Sequence, residues 1–317
     1  MIAPVPTMLR RVKKFVRPHR RRFRVATRRA RILPSFLVIG AQRAGTTSLF
    51  QSLRRHPDIT GPASLDESVT WGKELHFFDE KSWRGIDWYR SFFPTSAKQR
   101  LVRLLGRDLL AGEATPYYMF HPAVPERVAA ALPEVRLIAL LRDPIERAYS
   151  HYQLMRRTGR EKLSFEDALA AEEKRLAGER ERLLSDPHFR GHHHRHRAYV
   201  GRSLYSDQLE RWLAFFPREQ LLVVRAEDFL ARPSDIYAET LAFLGVRPWQ
   251  PDDFEPRNRK SYAPIDPALR ARLEERFAEP NERLARLLGR DFGWGSATAG
   301  PAKDAAELGR RNGLTAA

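Results

Sequence analysis

The sequence predicts an α/β fold in which a central parallel β-sheet is flanked by helices. Three observations carry that expectation. Residues 35–40 are a short apolar run of the kind a buried parallel strand shows, followed by a glycine-bounded turn and a helix from about 44 to 55. Residues 135–141 are nearly continuous in apolar residues and repeat the layout, with Asp143 as N-cap, Pro144 at the first helical position and a helix to about Arg157. A third apolar run, Leu221–Val224, lies between helical stretches. Strand–turn–helix units of this kind join parallel strands by helical crossovers.

The remaining elements follow in order. Residues 1–33 form a basic arm, expected to be flexible, and Pro34 opens the first strand. His56-Pro57-Asp58-Ile59 ends the first helix, with Pro as the stop. Residues 60–72 read as a surface loop. Gly85–Pro94 reads as a helix with an aromatic face, and 109–114 as a further strand before the turn Thr115-Pro116-Tyr117-Tyr118. Residues 125–132 and 164–184 are helical. His192, His193, His194 and His196 sit among Arg190, Arg195 and Arg197 in what reads as an irregular, solvated basic loop. Consecutive histidines cannot easily point at one ion, so a surface facing an anionic acceptor ranks above a metal site. Ser203–Phe216 is amphipathic, with Leu204, Leu209, Trp212 and Leu213 near one face. Helices follow at 233–244 and 267–288. The domain ends near 294, and the Ala- and Gly-rich residues 295–317 read as a disordered tail.

Composition narrows the class. A chain of 317 residues with 42% hydrophobic and 30% charged residues suits one large α/β domain. Of the 56 Lys and Arg, twelve lie in residues 1–31 with no acid among them, leaving 44 basic against 39 acidic residues elsewhere. The net charge of +17 therefore describes the arm more than the fold; a solvated, flexible leader without a specific partner and an arm that contacts an anionic surface both fit it equally, and no specific nucleic acid is expected. There is no cysteine, so neither disulfides nor thiolate metal sites can form. No apolar run approaches a membrane span and no secretory apolar region follows the first residues, so a cytoplasmic location is expected.

Chemistry concentrates in the first loop, Gly40-Ala-Gln-Arg43-Ala44-Gly45-Thr46-Thr47-Ser48. Its glycines let the backbone turn and approach a ligand closely, and Thr46, Thr47 and Ser48 bring hydroxyls and amides to a helix N-terminus, where an anion is favoured. Arg43 adds a fixed charge. A plain strand-to-helix turn is the bland alternative. A P-loop kinase or NTPase is the nearer rival, but its pattern needs Lys directly after the second Gly, where this chain has Thr46. Arg142 leaves the end of a second central strand and Ser150 follows eight residues later, so both can reach one anion above the sheet edge.

Taken together, the Arg43-Ala-Gly-Thr-Thr loop and Leu140-Leu-Arg142-Asp-Pro-Ile-Glu-Arg-Ala-Tyr-Ser150 resemble the two cofactor-binding signatures of sulfotransferases that use PAPS (3′-phosphoadenosine 5′-phosphosulfate). Glu74-Leu-His-Phe-Phe-Asp79, Gly85-Ile-Asp-Trp-Tyr89, Phe93-Pro94, Val124-Pro-Glu-Arg127 and Leu204-Tyr205 are similar, in the same order, to the heparan-sulfate N- and 3-O-sulfotransferase branch. The likeness spans roughly residues 35–294. It implies a P-loop-like fold and sulfuryl transfer from PAPS to a hydroxyl or amine of a carbohydrate or glycolipid acceptor, giving PAP without a metal. The first loop, from Arg43 to Ser48, would hold the 5′-phosphosulfate, Arg142 and Ser150 the 3′-phosphate, and Arg259, Lys260 and Tyr262 a loop that closes on the cofactor. Glu74 would be the catalytic base, with His76 beside it. Asp79, Lys73 and Tyr117 would line the acceptor side. Arg43 would act mainly in the transition state, on the departing phosphate. Burial beside Phe77 and Phe78 would raise the pKa of Glu74, and Lys73 would oppose this. Arg43 stands where the family carries Lys, and Ala114 where the heparan enzymes carry Lys. The second departure points to an acceptor other than heparan itself. A non-catalytic polyanion-binding protein remains the reading in which the arm, not the loops, does the binding.

Overall fold

A computed structural model of the chain describes residues 22–63, 74–254 and 262–295. Its centre is a five-stranded, wholly parallel sheet: β1 Phe36–Gly40, β2 Ile59–Thr60, β3 Leu110–Ala114, β4 Arg136–Leu141 and β5 Leu221–Arg225, in the order β2-β3-β1-β4-β5. All of β1 is buried, since helices cover both faces, and this is why its sequence is continuously apolar rather than alternating. After β1 the chain goes outward to β2, returns to β3 and then crosses to β4 on the far side of β1. The order therefore reverses between β1 and β4, and the carboxyl ends of those two strands frame the crevice where open α/β sheets bind ligands.

The helices that position the site are α1 Thr46–Leu53, α2 Ser96–Leu104, α3 Val124–Ala131, α4 Pro144–Arg157, α5 His192–His196, α6 Tyr205–Leu213, α7 Pro233–Leu244 and α8 Pro267–Leu288. The Asp143 side chain accepts from the amides of Ile145 and Glu146, both at 2.9 Å, and fixes the start of α4. A second, smaller core of Ile145, Tyr152, Phe165, Tyr199, Leu269 and Phe277 locks α4 against α8. Gly40 is required where it stands: a Cβ there would lie 2.6 Å from Cβ and Sδ of Met119.

Several expectations need correction. The arm does not stay free up to residue 33. Arg24 donates to the carbonyls of Ser91 and Phe93 at 2.8 and 2.7 Å, Arg31 is buried and donates to Phe93 O at 2.7 Å, and the Ile32 amide bonds Pro94 O at 3.0 Å. Guanidinium groups satisfy the carbonyls that close the 91–94 turn, so the domain starts near residue 24. Residues 1–21 and 296–317 lie outside the described residues. The loop expected over 60–72 begins with the edge strand β2, and α2 was not expected at all. The histidine run is a short helix rather than an irregular loop. Glu179 supports it by accepting from the amides of His193 and His194.

Candidate active site

The donor side is built at the carboxyl ends of β1 and β4. Gly45, at φ +95°, caps α1, and the amides of Gly45, Thr46 and Thr47 have no backbone carbonyl partner among the described residues. They are donors available to an anion. Ala44 buries its methyl in the core, so only its backbone faces the loop. Arg43 is held at φ +77°, a costly conformation outside glycine. Its Nε donates to Ser150 Oγ at 3.0 Å, and Arg142 Nη1 approaches Arg43 O at 3.5 Å. Arg43 thus contacts both Ser150 and Arg142, which the sequence keeps apart. Burial depresses the Arg43 pKa; nearby Tyr262 pulls it back up, and Arg142 and Arg157 push it down again. Tyr262 edges against Tyr149 of α4 at 6.1 Å, and its hydroxyl is buried near Arg43 with no well-aligned hydrogen-bond partner among the described residues. Arg142 lies 3.6 Å from Glu146, a loose pairing that leaves about a third of its side chain exposed. Arg259 and Lys260 lie outside the described residues.

The acceptor side is the segment 74–81. His76, at φ +51°, is the other described non-glycine residue with a left-handed backbone. Its Nδ1 lies 2.6 Å from Asp79 Oδ2 and its Nε2 lies 3.4 Å from Glu74 Oε2. Burial disfavours the imidazolium, but Asp79 and Glu74 together outweigh that and raise the pKa to about 9. The two carboxylates thus favour the charged form of His76. Glu74 thus faces an imidazolium, a contact the sequence did not suggest when it set Glu74 among aromatics. Asp79 packs beneath His76. Its side chain is fully buried; burial would raise its pKa, but His76 and Arg195 bring it below the usual carboxylate value. It pairs with the His76 ring at 2.6 Å. Tyr117 is 5% exposed and its hydroxyl is tied to His194 Nδ1 at 2.8 Å, so it forms a wall behind the cleft. Lys73 lies outside the described residues. The segment hangs from Tyr118, whose hydroxyl accepts from the amides of Phe77 and Phe78 at 3.0 and 3.4 Å.

Two arginines, Arg195 of the histidine-rich stretch and Arg202, which the sequence does not single out, tie the first loop to segment 74–81. Arg195 of α5 pairs with Glu80, and its Nη2 stands 3.3 Å from His76 Nε2. With both ring nitrogens of His76 donating to carboxylates, this is an approach of two cations, held in place by Glu80. His76, Asp79 and Glu80 bring ligand atoms within 4.8 Å of one another, but Arg195 already supplies that cluster with a positive charge. Arg202 is 3% exposed and donates to the Gln42 side chain of the first loop and to Arg195 O at 2.7 Å, with its guanidinium 4.6 Å from the Tyr117 ring centre. Burial depresses its pKa to about 9. Gln42, beside Arg43 in the loop, was readable as part of the motif. Arg202, 160 residues later, carried no periodicity or spacing that could have marked it.

With this geometry, the Sulfotransferase domain family matches residues 33–258. The chain is 28% identical to "Membrane-associated sulfotransferase kil1" of Dictyostelium discoideum, over 83% of this chain and 66% of that one. It is 28% identical to human "Heparan sulfate glucosamine 3-O-sulfotransferase 6", over 88% of this chain and 75% of that one. With human "Bifunctional heparan sulfate N-deacetylase/N-sulfotransferase 3" it shares 33% identity over 68% of this chain but 23% of that protein. The chain thus spans about a quarter of that bifunctional relative and about two thirds of the Dictyostelium one. The crystal structure of a sulfotransferase from Alicyclobacillus acidocaldarius superposes with a TM-score of 0.57 at 32% identity, covering 82% of this chain and 97% of that one.

Proposed function

The chain belongs to the sulfotransferase family, and from that premise we propose that it moves a sulfuryl group from PAPS to a hydroxyl or amine of a carbohydrate-containing acceptor, leaving PAP. One observation carries the donor assignment: Arg43, Arg142, Ser150 and the buried Tyr262 hydroxyl converge beside a helix N-terminus with open amides. Cations desolvated side by side are unfavourable alone and favourable around a phosphate. The first loop is read as the 5′-phosphosulfate site, and Arg142 with Ser150 as the 3′-phosphate site. Lys260, Arg259 and Tyr262 are read as closing over them. PAPS supplies the activated sulfuryl group and a stable phosphate leaving group.

The chain's own residues supply the rest. The acceptor oxygen or nitrogen attacks sulfur in line as the sulfur–oxygen bond to the 5′-phosphate breaks, and Glu74 takes the acceptor proton. His76, charged and held by Asp79, fixes the Glu74 carboxylate. Arg43 and the α1 amides stabilise the charge that builds on the departing phosphate. Because Arg43 also bonds Ser150, its contribution extends to the ground state. Support for a carbohydrate acceptor comes from the heparan-sulfate relatives. Among the described residues no helix is long and apolar enough to cross a membrane. A cytoplasmic enzyme without a metal requirement is the reading proposed, although the Dictyostelium relative is named as membrane-associated.

Thermal shift with PAP, set against ATP plus Mg²⁺, tests the donor. Linkage predicts a stabilisation of about 2.7 kcal/mol at a hundredfold excess over Kd. Stabilisation by ATP and Mg²⁺ but not by PAP would move the assignment to a kinase. Labelled PAPS with a panel of sugars, glycolipids and alcohols then identifies the acceptor.

A further inference from the structure

Helix α2 is unusual for a surface helix. It buries no residue completely, yet it and the residue after it present three leucines to solvent: Leu101 is 59% exposed, Leu104 83% and Leu105 68%. Cations surround them. Arg103 pairs with Asp108 and Arg107 with Asp58, whereas Lys98 and Arg100 have no acidic partner within ion-pair distance among the described residues. The docked part of the arm lies alongside, joined by the bridge between Arg31 and Thr95, the N-cap of α2. It adds a fourth exposed apolar side chain, Phe23, at 62%. Arm and helix meet at a cavity of about 410 Å³ whose lining among the described residues includes Phe23, Arg24, Arg31, Arg54, Thr95 and Lys98. Arg31 there donates to neutral oxygens, those of Phe93, Arg24 and Thr27. Twelve Lys or Arg without an acid occur in residues 1–31.

From this combination we infer that α2 and the docked residues 23–31 form a docking face for an anionic lipid bilayer, with lipid phosphates drawn to Lys98 and Arg100 and the leucines and Phe23 entering the headgroup–acyl boundary. The pairing of chemistries selects the occupant. A sulfated polysaccharide or a nucleic acid would match the cations but has nothing to cover three leucines. A second copy of the chain would cover the leucines but would bring one basic arm against another. A bilayer rich in acidic lipid satisfies both, since an amphipathic element binds through its apolar area together with its charge. The face is remote from the proposed sulfuryl-transfer cleft: Arg54 follows the last residue of α1, whereas the anion loop precedes its first, about 12 Å away at 1.5 Å per residue. Docking would therefore leave the cleft open to an acceptor presented at the membrane surface.

The test is co-sedimentation of the full chain with phosphatidylcholine vesicles, pure or containing roughly 30% phosphatidylserine, an acidic lipid of the kind found in cytoplasmic leaflets. Binding should require phosphatidylserine. The triple variant L101Q/L104Q/L105Q changes only exposed positions and keeps every charge, so its melting temperature and PAP binding should match the parent while vesicle affinity falls at least about tenfold. A second variant, K98E/R100E, should lose affinity comparably with the leucines intact. Three results would overturn the inference: equal binding to both vesicle types, unchanged binding by the triple variant, or a dimer in light scattering that the triple variant dissolves.

Discussion

Replacing Tyr118 with Phe removes one oxygen from a fully buried position and should disable the acceptor side while sparing the donor side. The hydroxyl accepts from the Phe77 amide at 3.0 Å and, at a longer 3.4 Å, from the Phe78 amide. Removing it strands one good buried donor and one marginal one, at a cost of about 1–3 kcal/mol. A melting temperature lower by about 2–8 °C follows for a domain of this size. Tyr118 also acts on Glu113, a fully buried carboxyl that accepts from Thr115 Oγ1 at 2.7 Å. Burial raises the Glu113 pKa to about 7, and the hydroxyls of Tyr89, Tyr118 and Thr115 restrain that rise. The folded pKa lies above the unfolded one, so the stability this group contributes is full below about 4.5 and is lost as pH rises through 7. Without Tyr118 the ionised form loses a donor, so Tyr118→Phe should destabilise more at pH 8 than at pH 6. The freed Phe77 and Phe78 amides let segment 74–81 shift, and a misplacement of about 1 Å in a reacting group can lower turnover about 10²-fold. PAP affinity should stay within about twofold, because the hydroxyl touches nothing in the first loop, a difference below the ~1 kcal/mol of an ordinary hydrogen bond. Calorimetry with PAP, melting at both pH values and transfer to the acceptor found by screening are the three readouts. Normal turnover in a variant that melts lower would refute the positioning role, and equal destabilisation at pH 6 and pH 8 would cut the link to Glu113.

Arg142→Ala should weaken PAP by roughly 10- to 100-fold, the value of a charge-assisted contact of about 1.5–3 kcal/mol, and an unchanged Kd would remove the 3′-phosphate assignment. Arg43→Ala should lower both PAP affinity and turnover, because its guanidinium bonds Ser150 and also faces the loop; a loss confined to turnover would show that the Ser150 contact is idle. Glu74→Gln keeps PAP binding and should reduce transfer at least about 100-fold, so near-normal transfer would end its candidacy as base. His76 has a folded pKa of about 9 against 6.5, so its contribution is complete below 6.5 and disappears as pH rises through 9. Turnover should show an alkaline limb near that value, and a His76→Gln variant that retains the limb would assign it elsewhere.

Much of the fold was readable because burial on both faces of a sheet leaves a direct mark, the apolar runs at 36–39, 137–141 and 221–224. The edge strand β2 left none: two residues pair with β3 through backbone alone. Helix α5 was missed because histidines carry no core period and its support, a Glu179 carboxylate on two amides, comes from another helix. The site divides in the same way. The first loop, Arg142 and Glu74 sit in contiguous motifs and could be read. Ser150 and Arg43 could each be read, but not their contact across 107 positions. His76 and Asp79 were readable as residues near the chemistry, yet their roles depended on which was buried and which carboxylates surrounded the ring.

That dependence also bears on how the two sides could work as one. The two described non-glycine residues with left-handed backbone are Arg43 and His76, one on each side, and such conformations persist only where the surroundings over-determine them. A single bridge does this for both: Gln42, next to Arg43, accepts from Arg202, which holds the carbonyl of Arg195, which in turn stands against His76 and Glu80. Buried Arg202 has its pKa lowered chiefly by burial; Tyr117 and Glu172 raise it, while neighbouring guanidiniums, Arg195 among them, lower it further. The loop motif and the Glu74 segment, far apart in sequence, are thus linked by contacts through one buried arginine, Arg202.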